Sequence, residues 1–193
     1  MPHNKTMRIT GGTLVRRRFL VPPMVDEGSV RPTPDRVREA VFSMIKDNLT
    51  GAFILDICAG SGAHGFEALS RGARFVQFVE KDPRVAAVIK ENIASLGLVE
   101  HTKVECADAL KLAQFRPLEK AHVIFLDPPY SLKLEQEFFS SLHTLLADEG
   151  IIIYRCYKKE MPPLDENFEI VRDRIYGGTR VYIIKAKKPP LRT

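Results

Sequence analysis

The chain has 193 residues, 45% hydrophobic and 27% charged, which fits one domain with a small appendage and excludes a long multidomain design. A core of that size needs no disulfide framework. Cys58, Cys106 and Cys156 also lack zinc spacing or secreted pairing, and no apolar run approaches the ~18 residues of a membrane span. The net charge of +5 sits wholly in residues 1–38, where eight Lys and Arg face three acids, while the rest carries 21 of each sign. That distribution matches a polyanion footprint or, more plainly, a solvated basic terminus.

In chain order, Met7 to Gly12 and Arg16 to Val21 read as two short strands around a glycine turn, and residues 1–32 as a basic β-hairpin extension. Arg16, Arg17 and Arg18 would then alternate faces. A helix is expected after Thr33, with Thr33 as N-cap and Pro34 at the first helical position. Val37, Ala40, Val41, Met44, Ile45 and Leu49 form its apolar stripe, leaving Arg36 and Arg38 off it. Arg31 and Arg38 flank the helix start. With Arg16, Arg17, Arg18, Thr33 and Arg36 they make up the set expected to face a polyanion.

From residue 53, short β-rich runs alternate with helical stretches, the pattern of a parallel sheet with crossover helices over 33–193. The strands are Phe53 to Cys58, Arg74 to Val79, Thr102 to Cys106, Ala121 to Leu126 and Ile151 to Tyr154. The clearest helix runs from Asp82 as N-cap and Pro83 at the first position to Gly97. Phe168 to Ile175 and Thr179 to Lys185, around Gly177 and Gly178, read as a closing antiparallel hairpin.

Two segments carry chemistry. Asp56-Ile-Cys-Ala-Gly60-Ser-Gly62-Ala-His-Gly65 turns the first parallel strand into its helix and lets a cofactor approach the backbone. Its GxGxxG spacing also fits a dinucleotide. A carboxylate just ahead of the glycines disfavours pyrophosphate, however, and suits S-adenosylmethionine, which brings a sulfonium, an ammonium and no phosphate. Glu80, ending the next strand, is placed to accept ribose hydroxyls and does not choose between the two cofactors.

The second segment, Asp127-Pro128-Pro129-Tyr130, leaves the carboxyl end of an apolar strand. An exocyclic amino group conjugated to a base is a poor nucleophile. Asp127 and the Pro128 carbonyl can accept its two N–H bonds and turn its lone pair toward an electrophilic methyl group. Tyr130 can stack on the base, and successive prolines keep the acceptors aimed.

With these segments, Ile9 to Gly12 and Arg31 to Glu39, the chain resembles the bacterial 16S ribosomal RNA guanine-N2 methyltransferase family of the RsmD type over nearly its whole length. The resemblance implies a class I S-adenosylmethionine-dependent methyltransferase fold, a Rossmann-like α/β sheet of about seven strands with an antiparallel last strand. It implies methylation of guanine 966 in 16S rRNA, expected within a small-subunit particle and by a monomer; the three unpaired cysteines and the lack of a long apolar run add the expectation of a cytoplasmic protein with no membrane and no metal. Carried over, Asp56, Gly60 and Gly62, with Ala59 and Ser61, line the methionine half of the cofactor. Glu80 with Lys81 takes the ribose, Asp108 with Ala109 the adenine amino group, and Asp127 to Tyr130 form the catalytic loop.

Two departures stand out. Thr13-Leu-Val-Arg-Arg-Arg18 lacks the family's Arg-Gly-Arg-like element, and His64 replaces a more usual apolar residue, which reads as a helix-start side chain. The competing readings are a DNA amino methyltransferase, for which the chain lacks room for a target-recognition domain, and a non-catalytic RNA-binding assembly factor.

Overall fold

The computed structural model describes residues 5–22, 34–108, 110–111 and 117–187. Two antiparallel strands, β1 (Thr6–Arg8) and β2 (Arg18–Leu20), form a ribbon of their own. There follow α1 (Asp35–Met44), β3 (Phe53–Ile57), α2 (Ala63–Ser70), β4 (Phe75–Glu80), α3 (Pro83–Leu96), β5 (Thr102–Cys106), β6 (Ala121–Leu126), α4 (Gln136–Leu142), β7 (Leu146–Tyr157), β8 (Phe168–Tyr176) and β9 (Thr179–Ala186). Strands β3 to β9 make one seven-stranded sheet in the order β5-β4-β3-β6-β7-β9-β8, with β9 antiparallel to both neighbours.

The strand alternation sorts side chains to two faces. Ile54, Val76, Phe78, Val123, Phe125, Ile151 and Ile153 pack against residues of α1, α2 and α3 on one side. On the other, Phe53, Leu55, Ile57, Ile124, Leu126 and Ile152 meet Phe138, Phe139 and Leu142 of α4. The ribbon is bound into the first of these cores through Met7, Ile9 and Phe19, and the Phe19 ring sits 5.2 Å from Phe66 of α2.

Several expectations hold closely. The α3 boundaries coincide with the expected caps: the Asp82 side chain accepts from the Arg84 N–H, and Gly97 closes the helix at φ 74. Strands β5 and β6 match residue for residue.

Others are corrected. The ribbon strands are three residues each, because Gly12 (φ 79) and Arg16 (φ 71) bend the chain between them. Only Arg18 of the three arginines is in a strand, so the alternation of faces does not hold for Arg16 and Arg17. Gly12 is required there, since a Cβ would meet the Ser70 carbonyl oxygen at 1.8 Å. Helix α1 starts at Asp35, with Pro34 at the cap in an extended conformation (ψ 142) and its carbonyl accepting from Val37 and Arg38 N–H. Thr33 and Arg31 lie outside the described residues. Strand β7 is twelve residues long and reaches well beyond Ile151 to Tyr154 at both ends.

Arg38 is the largest correction. It is fully buried, its Nε 3.1 Å from Glu67 Oε2 and its Nη2 2.6 Å from the Arg8 carbonyl, so it cannot present a cation to RNA. The apolar stripe gave no sign of this, because the partner that holds Arg38 in the core lies 29 residues away on α2. Arg16, Arg17, Arg18 and Arg36 are not buried in this way. The Arg17 Nη2 donates to the Ser95 carbonyl and the Arg18 Nη1 to Thr6.

Candidate active site

Parallel register brings the carboxyl ends of three strands to one edge. Ile57 pairs with Val79 of β4 and with Leu126 of β6, so Cys58, one residue on, is flanked by Glu80 and Asp127. Main-chain bonds fasten this edge: Ala59 N–H donates to the Val79 carbonyl at 3.1 Å and Ala107 N–H to the Glu80 carbonyl at 3.1 Å. Ligands of open α/β sheets bind along such an edge.

The turn after β3 folds as its glycines allow. Gly60 and Gly62 adopt φ 54 and 75, and Gly62 N–H donates to the Ala59 carbonyl. A Cβ on Gly62 would meet the Phe66 ring at 2.8 Å. Cys58 also takes a positive φ of 60, a conformation that costs a non-glycine residue energy and often marks a functional turn. The Ser61 hydroxyl lies 3.8 Å from the Met7 sulfur.

Asp56 is wholly buried beneath this turn. Its Oδ2 accepts from Gly65 N–H at 3.0 Å, whereas Oδ1 has no partner. Burial pushes the Asp56 carboxyl well above the usual carboxylate range, and the charges of Asp127 and Glu80 push it the same way. The Cys58 thiol is raised to about 12 by burial and by the charges of Glu80, Asp127 and Asp56. A cation placed among these three acids would relieve both effects.

Both Glu80 oxygens are engaged by backbone, Oε2 by Gly60 N–H at 2.9 Å and Oε1 by Asp82 N–H at 3.0 Å. Each keeps capacity for a further donor. Beyond it, Lys81, Asp82, Pro83, Arg84, Cys106, Ala107 and Asp108 line an open groove, in which Asp108 Oδ1 accepts from Leu110 N–H. Ala109 lies outside the described residues.

Asp127 is held tightly. Its Oδ1 accepts from Arg155 Nε at 2.6 Å, and its Oδ2 is 3.9 Å from His64 Nδ1. The His64 ring stacks on Phe125 at 5.0 Å, and burial lowers its pKa to about 4, so it is neutral near pH 7. Burial works against the charge of Arg155, but Asp127 outweighs it and holds the guanidinium above its ordinary range. The Tyr130 hydroxyl lies 2.6 Å from Thr179 Oγ1, and its ring meets Tyr157 edge-on at 6.2 Å.

The structure therefore brings Asp56, Gly60, Gly62, Glu80 and Asp127 to Tyr130 to one edge, as the sequence suggested. Arg155, Tyr157 and Thr179 were missed. The sequence shows Arg155 only as a charged residue directly after the apolar run Ile151 to Tyr154, and its place beside Asp127 comes from the β6–β7 register. Among the described residues no group of His, Cys, Asp and Glu could hold a metal ion, and no helix is long and apolar enough to cross a membrane.

A seven-stranded sheet of this order, with β9 reversed between β7 and β8 and a glycine turn after β3, has the fold of the class I S-adenosylmethionine-dependent methyltransferases. The chain belongs to the family described as Conserved hypothetical protein 95, which matches residues 7–185. It is 33% identical over 161 residues to ribosomal RNA small subunit methyltransferase D of Haemophilus influenzae, covering 80% of this chain and 82% of that one. To the Escherichia coli K12 protein of the same name it is 32% identical over 174 residues, covering 89% and 85%. A solved Escherichia coli structure, yhhF, described as a methyltransferase, superposes with TM-score 0.83 at 28% identity and covers 95% of this chain and 99% of that one.

Proposed function

We propose that this protein is an enzyme that transfers a methyl group from S-adenosylmethionine to the exocyclic N2 amino group of a guanine, position 966, in 16S rRNA. The observation that carries the reading is the meeting, at one sheet edge, of an unpartnered buried carboxylate oxygen on Asp56 with the Asp127-Pro-Pro-Tyr130 loop. The relatives named ribosomal RNA small subunit methyltransferase D support rRNA as the substrate.

The residues present fit the cofactor. Asp56 Oδ1 lacks a donor that an ammonium would supply, and the Gly60 and Gly62 turn leaves the backbone open to close approach. With Ala59 and Ser61 these residues hold the methionine half. Glu80 with Lys81 holds the ribose, and Asp108, with Ala109 beside it, the adenine amino group. Bound there, S-adenosylmethionine supplies an electrophilic methyl on a sulfonium.

The rest of the work falls to the chain. Asp127 and the Pro128 carbonyl accept the N–H bonds of the target amino group, turning its lone pair outward and stabilising the cation that forms as the new N–C bond is made. Pro129 stiffens the loop and Tyr130 stacks on the flipped base. The attack needs no general base, because the proton becomes acidic only after transfer and leaves to Asp127 or water. Residues 1–32 act as a basic extension of the catalytic domain at 33–193. Arg16, Arg17, Arg18, Arg31, Thr33 and Arg36 engage rRNA of a small-subunit particle, and the enzyme works as a monomer in the cytoplasm.

Labelled methyl transfer to small subunits lacking this modification tests the reading. Incorporation into 16S rRNA is expected with wild-type protein and not with Asp127→Ala. Transfer to DNA instead, or cofactor-independent binding with no transfer, would overturn it.

A further inference from the structure

Strand geometry explains how Arg155 comes to face Asp127. Leu126 pairs with Tyr154, so the next residue of each strand falls level at the carboxyl edge. Leu126 and Tyr154 point into the α4 side of the core, and the period of two sends Asp127 and Arg155 to the other face, where His64 of α2 lies over Phe125. The two side chains are 12% and 11% exposed, and the Nε···Oδ1 distance of 2.6 Å is just under the usual range for a charge-assisted N–H···O bond.

The bond uses Nε, the donor nearest the stem, which fixes the guanidinium plane more closely than a terminal nitrogen would. It engages Oδ1, and Oδ2 lies 3.9 Å from the imidazole Nδ1. A neutral imidazole there makes no competing ion pair, and its stacking on Phe125 walls the carboxylate on that side. A carboxylate so bracketed cannot rotate to offer either oxygen at random.

We propose that Arg155 is a positioning residue for methyl transfer: by binding Asp127 Oδ1 it fixes the plane in which the carboxylate meets the target amino group, with His64 as the facing wall. The inference rests on the role given to Asp127 above. In this role Arg155 acts through Asp127 and not on the cofactor or the reacting atoms. Its loss should therefore slow the transfer step without weakening ground-state binding, because the misaimed acceptor is felt only when the amino lone pair must be turned.

The test compares Arg155→Met, Arg155→Lys and Asp127→Asn with wild type. It measures kcat and KM on unmethylated small subunits, cofactor affinity by calorimetry, and melting temperature. The expected order of kcat is wild type, then Lys, then Met. Lys should lose about tenfold and Met about a hundredfold or more, with KM and cofactor affinity within about threefold. Wild-type kcat in Arg155→Met beside an inactive Asp127→Asn would overturn the role of Arg155 alone. Wild-type turnover in Asp127→Asn would overturn the reading of Asp127 and this inference with it. Should Arg155→Met fail to fold, Arg155→Lys decides, and an undiminished kcat there, or a loss confined to KM, contradicts the proposal.

Discussion

Arg38 and Glu67 form an ion pair inside the protein, with Nε and Oε2 3.1 Å apart and the two side chains 0% and 1% exposed. Around it, Thr10 donates its N–H and hydroxyl to Glu67, Arg71 approaches the other Glu67 oxygen, and Arg38 also reaches Asp35 and the Arg8 carbonyl. The N-terminal ribbon is thereby joined to α1 and to α2, the helix that follows the Gly60 and Gly62 turn. Removing Arg38 takes one cation from the buried Glu67 carboxylate and leaves it Arg71, so Arg38→Met should destabilise the fold by about 1.5 to 3 kcal/mol through the charge-assisted bonds lost. Arg38→Met with Glu67→Leu should cost less than the sum of the single changes. Urea unfolding measures both, and a single change costing under about 1 kcal/mol would show the pair to be dispensable.

His64 gives a pH signature. Its folded pKa of about 4 lies below the unfolded 6.5, so stability from keeping it neutral is complete above pH 6.5 and is lost as pH falls toward 4. The loss amounts to about 3 kcal/mol, since each tenfold difference in proton affinity between the folded and unfolded chain is worth about 1.4 kcal/mol. His64→Leu should remove that part of the acid sensitivity, flattening the difference between unfolding curves at pH 7.5 and pH 5. An unchanged difference would mean that His64 is reached by water.

Asp56 runs the other way. Its folded pKa lies above the unfolded 3.8, so it costs stability as pH rises past that value until the folded value is passed. A cationic ligand favours the ionised form. Cofactor affinity should therefore increase with pH across the range in which Asp56 ionises, with a proton released on binding. Calorimetry in two buffers of different ionisation enthalpy reads that proton directly. Glu80→Ala should weaken the cofactor by about 1.5 to 3 kcal/mol through loss of charge-assisted bonds, and unchanged affinity would count against the ribose assignment.

The order of elements and the residues that meet at one sheet edge were legible in the sequence because both rest on local signals. Asp82, Pro83 and Gly97 mark α3 by cap chemistry, and the short β-rich runs at 102–106 and 121–126 are the strands β5 and β6. What was not legible depends on pairing across distance. Arg38 looked like a surface cation because periodicity describes a helix by itself, while the Glu67 that buries it comes from another helix. Arg155 became visible only once register placed β7 beside β6. Arg16 and Arg17 were drawn into a strand that the positive φ at Arg16 interrupts.

With Arg38 removed from the set, the proposed footprint falls to the exposed arginines. Arg16→Gln with Arg18→Gln should lower the salt dependence of rRNA or subunit binding by about one to two, at roughly 0.7 to 0.9 per phosphate contact, and leave cofactor affinity alone. A wild-type salt slope in the double variant would mark the segment as a solvated terminus.

The most direct measurement of the central claim is mass mapping of the methylated nucleotide after reaction of wild-type protein and Asp127→Asn with unmethylated small subunits and S-adenosylmethionine. The account predicts one added methyl on the N2 atom of guanine 966 of 16S rRNA with wild type, and none with Asp127→Asn despite cofactor affinity within about tenfold of wild type. A methyl group on another atom or another nucleic acid, or the same product from Asp127→Asn, would contradict it.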